Sequence, residues 1–199
     1  MVGTSFPYID YLPRPGQARG IQIDIKPEKI GLRYPVEAGL VGDSKIILSA
    51  LLPLLRQKLD LEFLISKQHA MKGWRGLLRE RSSRTDKPIK PDVIAMAVSD
   101  ELEDNAIISV DSGTNTISGA RYINIRKGMK FSLSGTLLAS MACDLPYAIA
   151  AQVAFPERQS VAFVGEGGFT MLMGEFATAV QYSLPVKVIG WVLTIDLNR

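Results

Sequence analysis

One strand–turn–helix segment constrains the fold of this chain more than any other. Residues 161–164 are apolar, a glycine-rich turn follows at Gly165–Gly168, and residues 170–182 are predicted to form a helix. A strand that ends in such a turn directs backbone N–H groups and the positive end of a helix dipole at one point, which suits a phosphate. The carboxylate of Glu166 adds a hard oxygen ligand suited to Mg²⁺. The segment predicts a phosphate–metal site, and the alternative is an ordinary strand–helix turn without a ligand.

The composition excludes several classes of protein. Hydrophobic residues make up 47% of the 199 residues and charged residues 22%, which is typical of a globular protein. A net charge of +3 is too small to indicate a nucleic-acid partner. A single cysteine, Cys143, and a single histidine, His69, exclude a disulfide framework and a zinc cluster. With no signal peptide and no apolar run long enough to span a membrane, a cytoplasmic location is predicted.

Predicted strands and helices alternate in the second half of the chain. The strands are 106–110, 160–164 and 186–193, and helices are predicted at 92–102, 145–155 and 170–182. This alternation predicts an α/β fold with a parallel sheet and helices on both faces. Ligands bind at the carboxyl ends of the strands in such sheets, where the loops 111–116 and 165–169 both fall.

The first half is predicted to contain part of a nucleotide-binding unit and a basic segment. A short strand at 20–25 carries Asp24 near its end, and a helix is predicted at 44–59 despite Pro53. Residues 66–91 are basic, but their charges are spread all round the helix without an interleaved aromatic platform. A solvated helix and linker are therefore favoured over a nucleic-acid surface. The predicted domains are 1–65, the linker segment 66–91, and 92–199.

Several segments resemble one enzyme family, in the same order along the chain. They are 111–116, 134–135, 140–142, 145–151 and 165–185, preceded by 2–8, 22–25 and 40–43. Together they resemble thiamine diphosphate-dependent enzymes of the pyruvate oxidase and acetolactate synthase type. The resemblance implies a thiamine diphosphate-binding fold, preceded by the C-terminal part of a Rossmann-like middle domain.

The resemblance also implies a set of cofactor-binding residues. The acid of the family's Gly-Asp-Gly motif, which ligates Mg²⁺, falls on Glu166. The other implied residues are Gly113, Thr114, Asn115, Ser134, Met141, Gly165, Gly167, Gly168 and Phe169. Met141 would support the bent cofactor, with ordinary core packing as the alternative. Asp24 and Glu37 are the candidate residues for binding FAD. Many family members that have this domain bind no FAD, which is the alternative.

Three positions depart from the family pattern. Glu166 replaces an aspartate, and its longer side chain suits a near-octahedral Mg²⁺ site less well. Asp144 stands where the family has glycine, and it could serve as the N-cap of the helix that follows. Paired asparagines are expected near Leu193, but the nearest asparagine is Asn198, so the second metal ligand is expected to be missing.

The implied activity is the processing of a 2-oxo acid substrate by a homo-oligomer, or by this chain together with a full-length paralogue. The family's catalytic glutamate belongs to an N-terminal domain outside this sequence, so no catalytic residue is assigned within it. The chain alone is expected to be inactive. The alternatives are a decaying gene product and a non-catalytic binding or oligomerisation fragment that docks through the helices around Leu145 and Phe176.

Overall fold

The computed structural model describes residues 1–4, 6, 8–133 and 139–191. The chain divides into two compact units, Met1–Phe63 and Leu64–Arg199. In the first unit, strands β1 (Ile21–Asp24) and β2 (Ala38–Val41) pair in parallel, and helix α1 (Ser44–Leu51) follows. Short 3₁₀ turns lie at Ile9–Tyr11, Pro27–Lys29 and Leu52–Leu54.

Helix α1 has a well-defined start and a proline near its end. The side chain of Asp43 accepts hydrogen bonds from the backbone N–H groups of Lys45 and Ile46, at 2.9 and 3.1 Å, and so caps the helix. Pro53 lacks an N–H to continue the α-helical ladder. The helix therefore ends at Leu51, and the predicted extension to Leu59 is wrong.

In the described residues of the second unit, four strands form a sheet with the order β4–β3–β5–β6. Its strands are β3 (Ile107–Val110), β4 (Lys130–Leu133), β5 (Ser160–Gly165) and β6 (Lys187–Trp191). All three pairings are parallel, which confirms the predicted α/β sheet. Strand β4 was not predicted, because its sequence Lys-Phe-Ser-Leu is short and only partly buried.

Helices cover both faces of this sheet. They are α2 (Glu62–Ser82), α3 (Pro91–Glu101), α4 (Thr114–Tyr122), α5 (Asp144–Ala154), α6 (Glu166–Leu172) and α7 (Glu175–Gln181). Ile108 and Phe163 of the sheet belong to a buried cluster with Met96 of α3. From β5, the hydroxyl of Ser160 donates to the carbonyl oxygen of Ala148 in α5 at 2.7 Å.

The helix predicted at 170–182 is two helices. Helix α6 begins earlier, at Glu166, and α7 begins at Glu175 after a break at Met173 and Gly174. At the break, the N–H groups of Phe176 and Ala177 bond to carbonyls three residues back, at 3.0 and 3.1 Å, so the α-helical ladder is interrupted. None of the helices in the described part of the chain has the length and apolar character needed to span a bilayer.

Candidate functional site

Two helices begin at the same edge of the second sheet. Strands β3 and β5 are parallel neighbours. Helix α6 directly follows β5, and α4 follows β3 after three residues. Gly113 precedes α4 with a φ of +108°, a backbone conformation that favours glycine. The first N–H groups of a helix have no partner within the helix, so both first turns offer donors at this edge.

Asn115 of α4 lies directly against the end of β5. It is buried, and its side-chain nitrogen is 2.9 Å from the position that a Cβ on Gly165 would occupy. The two segments come this close because residue 165 has no side chain. The prediction that Asn115 and Glu166 share one edge of the sheet is therefore confirmed.

Met141 belongs to the same edge through its contact with the glycine turn. Its Cε lies 3.6 Å from the Cβ position of Gly167, and 47% of the residue is exposed. A side chain this exposed is not part of the hydrophobic core, so the geometry does not favour the core-packing alternative. Three segments distant in sequence, around Asn115, Met141 and Gly167, thus meet at one place.

Glu166 is the exposed first residue of α6, where a carboxylate interacts favourably with the helix dipole. It lines a cavity of about 520 Å³ whose walls include Phe169 and Phe176. The two phenyl rings pack edge to face, with centroids 6.4 Å apart. Gly113 and Thr114 are exposed at the start of α4. Ser134 lies outside the described residues, as do Leu193 and Asn198.

A buried carboxylate, Asp111, lies beneath this edge. Its Oδ1 accepts a hydrogen bond from the backbone N–H of Ala142 at 2.8 Å, and its Oδ2 has no hydrogen-bond partner among the described residues. A Cβ on Gly168 would lie 1.7 Å from that Oδ2. The absence of a side chain at Gly168 therefore makes room for Asp111. Sequence reasoning missed this role, although an acid directly after a buried strand is a visible signal.

Asp144 does not cap α5, so that prediction is wrong. The N-cap position is Cys143, which has helical φ and ψ, and Asp144 is the first residue of the helix. Only 1% of Asp144 is exposed, and neither of its carboxylate oxygens has a hydrogen-bond partner among the described residues. Burial, and then the negative charge of Asp111, raise the pKa of Asp144 to about 6.

In the first unit, Asp24 and Glu37 are not brought together. Asp24 is buried at the carboxyl end of β1, where its Oδ1 accepts from the N–H of Lys26 at 3.0 Å. Glu37 precedes β2 and forms a forked ion pair with Arg19, which lowers the pKa of the carboxyl group. Since β1 and β2 are parallel, the two acids lie at opposite ends of this strand pair.

The sheet edge of the second unit is better suited to binding a metal ion together with a diphosphate than to binding a metal ion through protein ligands alone. Within the described ranges, no three His, Cys, Asp or Glu side chains converge in a way that could hold a metal. Mg²⁺ is usually bound through one or two carboxylates together with phosphate oxygens and waters. The single exposed carboxylate of Glu166, beside two helix N-termini, fits that arrangement.

Comparison with known proteins agrees with this geometry. Residues 111–192 match the family model of the thiamine pyrophosphate enzymes, specifically their C-terminal TPP binding domain. This part of the chain is therefore similar to the TPP binding domain of these enzymes, and the resemblance inferred from the sequence is confirmed.

Individual relatives extend the similarity over nearly the whole chain. It is 42% identical over 189 residues to a Bacillus subtilis protein, YdaP, described as thiamine pyrophosphate-containing. It is 30% identical over 186 residues to the pyruvate oxidase of Lactiplantibacillus plantarum, and 33% identical over 174 residues to the acetolactate synthase large subunit of Pyropia yezoensis. These alignments cover 95%, 93% and 86% of this chain, but only 32%, 31% and 29% of the relatives. The chain thus spans about a third of the length of these relatives.

Proposed function

We propose that the chain is part of a thiamine diphosphate- and Mg²⁺-dependent enzyme that processes a 2-oxo acid, of the pyruvate oxidase or acetolactate synthase type. The observation that supports this most directly is the meeting of Asn115, Met141 and the turn Gly165–Gly168 at one sheet edge. Bound thiamine diphosphate supplies an electron sink for the carbanion chemistry of decarboxylation. The names of the pyruvate oxidase and acetolactate synthase relatives support this substrate class.

The residues of the sheet edge have distinct proposed roles. Backbone N–H groups in the first turns of α4 and α6 donate to the diphosphate, and Gly113 provides the turn that aims α4 at it. Glu166 is the protein ligand to Mg²⁺, while Met141, beside Gly167, supports the cofactor. Ser134 and Phe169 complete the proposed set, with Phe169 forming part of the apolar cavity wall.

In this proposal, the acid that activates the cofactor is not among the residues of the sheet edge. Glu175, the next acid along the chain after Glu166, is the first residue of α7, and its Oε2 accepts a hydrogen bond from the hydroxyl of Thr178 at 3.5 Å. It therefore begins a separate helix and does not lie inside the continuous helix predicted at 170–182. The chain by itself is therefore proposed to bind the cofactor weakly and not to decarboxylate 2-oxo acids. In this proposal, the acid comes from an N-terminal domain outside this sequence, either in a full-length paralogue or in a homo-oligomer of a longer chain that contains these residues.

The cofactor proposal is tested by titrating thiamine diphosphate, up to millimolar concentration, into the chain in a calorimeter with Mg²⁺ or with EDTA. Weak, Mg²⁺-dependent binding is expected, and Glu166→Ala should abolish the effect of the metal while leaving the circular dichroism spectrum unchanged. Absence of binding throughout this range, or binding equally strong in EDTA and in the variant, would contradict the assignment.

The placement of catalysis is tested separately, with pyruvate, thiamine diphosphate and Mg²⁺. No carbon dioxide release above the protein-free rate is expected from the chain alone. Release that is lost in Glu175→Gln would show that the chain contains its own catalytic acid.

A further inference from the structure

A second cavity, of about 640 Å³, lies in the second unit between α2 and the C-terminal end of α4. Its lining includes Trp74, Arg75, Leu78 and Arg79 of α2 and Arg121 of α4. We call this cavity the arginine groove. Helix α4 begins at the candidate cofactor site and ends at the groove; at 1.5 Å per residue, its nine residues separate the two by roughly 13 Å. The groove is therefore distinct from the site at the sheet edge.

Three arginines of the groove carry positive charge that no acidic group among the described residues neutralises. Arg75 and Arg79 are exposed and one helical turn apart, and Arg121 is exposed in the last turn of α4. Within the described part of the chain, none of the three has a side-chain hydrogen bond or an ion pair. Like charges four residues apart on a helix repel each other, so an anion bound between them is stabilised.

A fourth arginine, Arg126, has a structural role. Its Nε donates to Asp104 at 2.7 Å, and its other N–H groups donate to the carbonyl oxygens of Ser99 and Leu102. All three nitrogens of this guanidinium already donate a hydrogen bond to a group of the protein. The contrast with the three unpartnered arginines indicates which charges are available to a ligand.

The groove also offers an aromatic surface beside these charges. Trp74 is 40% exposed, next to the buried Leu78, and both lie on the face of α2 that carries Arg75 and Arg79. Trp74 and the two arginines of α2 therefore line the same cavity. An exposed indole is a good stacking surface for a heteroaromatic ring.

The size and shape of the groove favour a small ligand over a nucleic-acid strand. Cavities that bind small molecules are typically about 300–1,000 Å³, and the arginine groove falls in that range. Single-stranded nucleic acids follow an extended basic track with several stacking positions. The groove has one exposed indole and a local group of charges, in a chain of net charge +3.

We propose that the arginine groove binds a nucleoside diphosphate. The base stacks on Trp74, and the phosphates accept charge-assisted hydrogen bonds from Arg75, Arg79 and Arg121. This assignment is independent of the function proposed for the sheet edge.

The test uses the intrinsic fluorescence of Trp74 in a Trp191→Phe background, which removes the second tryptophan. ADP, adenosine and inorganic pyrophosphate are titrated in turn at low ionic strength. Saturable quenching by ADP is expected, at concentrations at least tenfold below those of the two fragments, because only ADP engages both the indole and the arginines. Equal affinity for ADP and pyrophosphate would overturn the proposal, as would tighter binding of a short RNA than of ADP.

Matched variants locate the binding. Arg79→Gln and Arg121→Gln should each weaken ADP binding about tenfold, since each removes a hydrogen-bond donor to a charged phosphate. Lys72→Gln, also on α2 but outside the groove lining, removes the same charge and should change the affinity less than twofold. An equal loss in all three variants would show non-specific attraction. Loss in Gly167→Ala but not in Arg79→Gln would place ADP at the sheet edge. Either result overturns the proposal.

Discussion

Asp111 and Asp144 form a buried, interacting pair of carboxyl groups beneath the candidate cofactor site. Asp111 follows β3 and Asp144 begins α5, and the negative charge of the first raises the pKa of the second. Three of their four carboxylate oxygens have no hydrogen-bond partner among the described residues. For Asp144, this burial favours the protonated form, because ionisation in a poorly solvated site costs free energy.

We predict that Asp144→Asn stabilises the chain in a pH-dependent way. The folded pKa of about 6 lies above the value of about 3.9 for an unfolded aspartate. Below pH 4 both states are protonated; between pH 4 and 6 only the unfolded state ionises, so the stability of the wild type falls as pH rises. The variant, which lacks this ionisation, should gain about 2 kcal/mol relative to wild type between pH 4 and pH 7.5, because the unfolded aspartate is already partly ionised at pH 4.

Urea unfolding of wild type and Asp144→Asn at these two pH values measures this gain. Asp100→Asn is the matched control, since Asp100 is exposed on α3. A stability difference between Asp144→Asn and wild type that is the same at both pH values would show that Asp144 is not kept protonated in the folded state.

Two adjacent glycines are predicted to respond differently to alanine. In Gly168→Ala the new Cβ would lie 1.7 Å from Asp111 Oδ2, whose carboxyl group is held by the N–H of Ala142. We expect a loss of about 2 kcal/mol or more, as for other overpacked sites. In Gly167→Ala the new Cβ meets, among the described residues, only Met141, at 3.6 Å, and the stability should change by less than about 1 kcal/mol.

Urea unfolding measures the free energy of unfolding of the two variants, and calorimetry measures their affinity for thiamine diphosphate. Gly167→Ala should still lose affinity for thiamine diphosphate, because its methyl group stands beside the proposed cofactor. Equal stability of the two variants would contradict the role assigned to Asp111.

The parallel sheet of the second unit could be predicted because its strands carry a strong local signal. Residues 161–164 form an apolar run before a glycine turn, and strand β5 is buried along nearly its whole length. Strand β4 lacked that signal, since its position depends on pairing with β3. The break at Gly174 and the end of α1 near Pro53 were missed because apolar periodicity continues through both.

The sequence predicted which segments form the candidate site, but not how these segments are arranged in space. Sequence placed Asn115 and Glu166 at strand ends, and the parallel pairing of β3 and β5 then brought them to one edge. The pairing of Asp111 with Asp144 was not predicted, because it depends on how α5 packs against β3. For the same reason, helical spacing alone did not reveal that Trp74 and the arginines of α2 share a cavity with α4.

The length of the acid at position 166 is predicted to limit metal binding. Glu166→Asp shortens the side chain by one methylene and matches the acid of the family motif implied by the resemblance. We expect Mg²⁺-dependent binding of thiamine diphosphate to become several-fold tighter, because Mg²⁺ requires a near-ideal octahedral geometry. With Ca²⁺, which accepts variable geometry, the two proteins should differ less. Weaker Mg²⁺-dependent binding in the variant, measured by calorimetry, would show that the longer side chain is the better ligand.

Arg126 is predicted to stabilise the fold, in contrast to Arg121 in the same groove. Arg126 donates to the carboxylate of Asp104 and to two backbone carbonyls at the end of α3. Arg126→Gln leaves those acceptors without their charged donor and should cost about 1.5–3 kcal/mol in urea unfolding. Arg121→Gln removes an exposed, unpartnered charge and should change stability by no more than about 0.5 kcal/mol. Equal stability of the two variants would show that the hydrogen bonds of Arg126 do not stabilise the fold. The distinction between structural and ligand-accessible arginines in the groove would then be wrong.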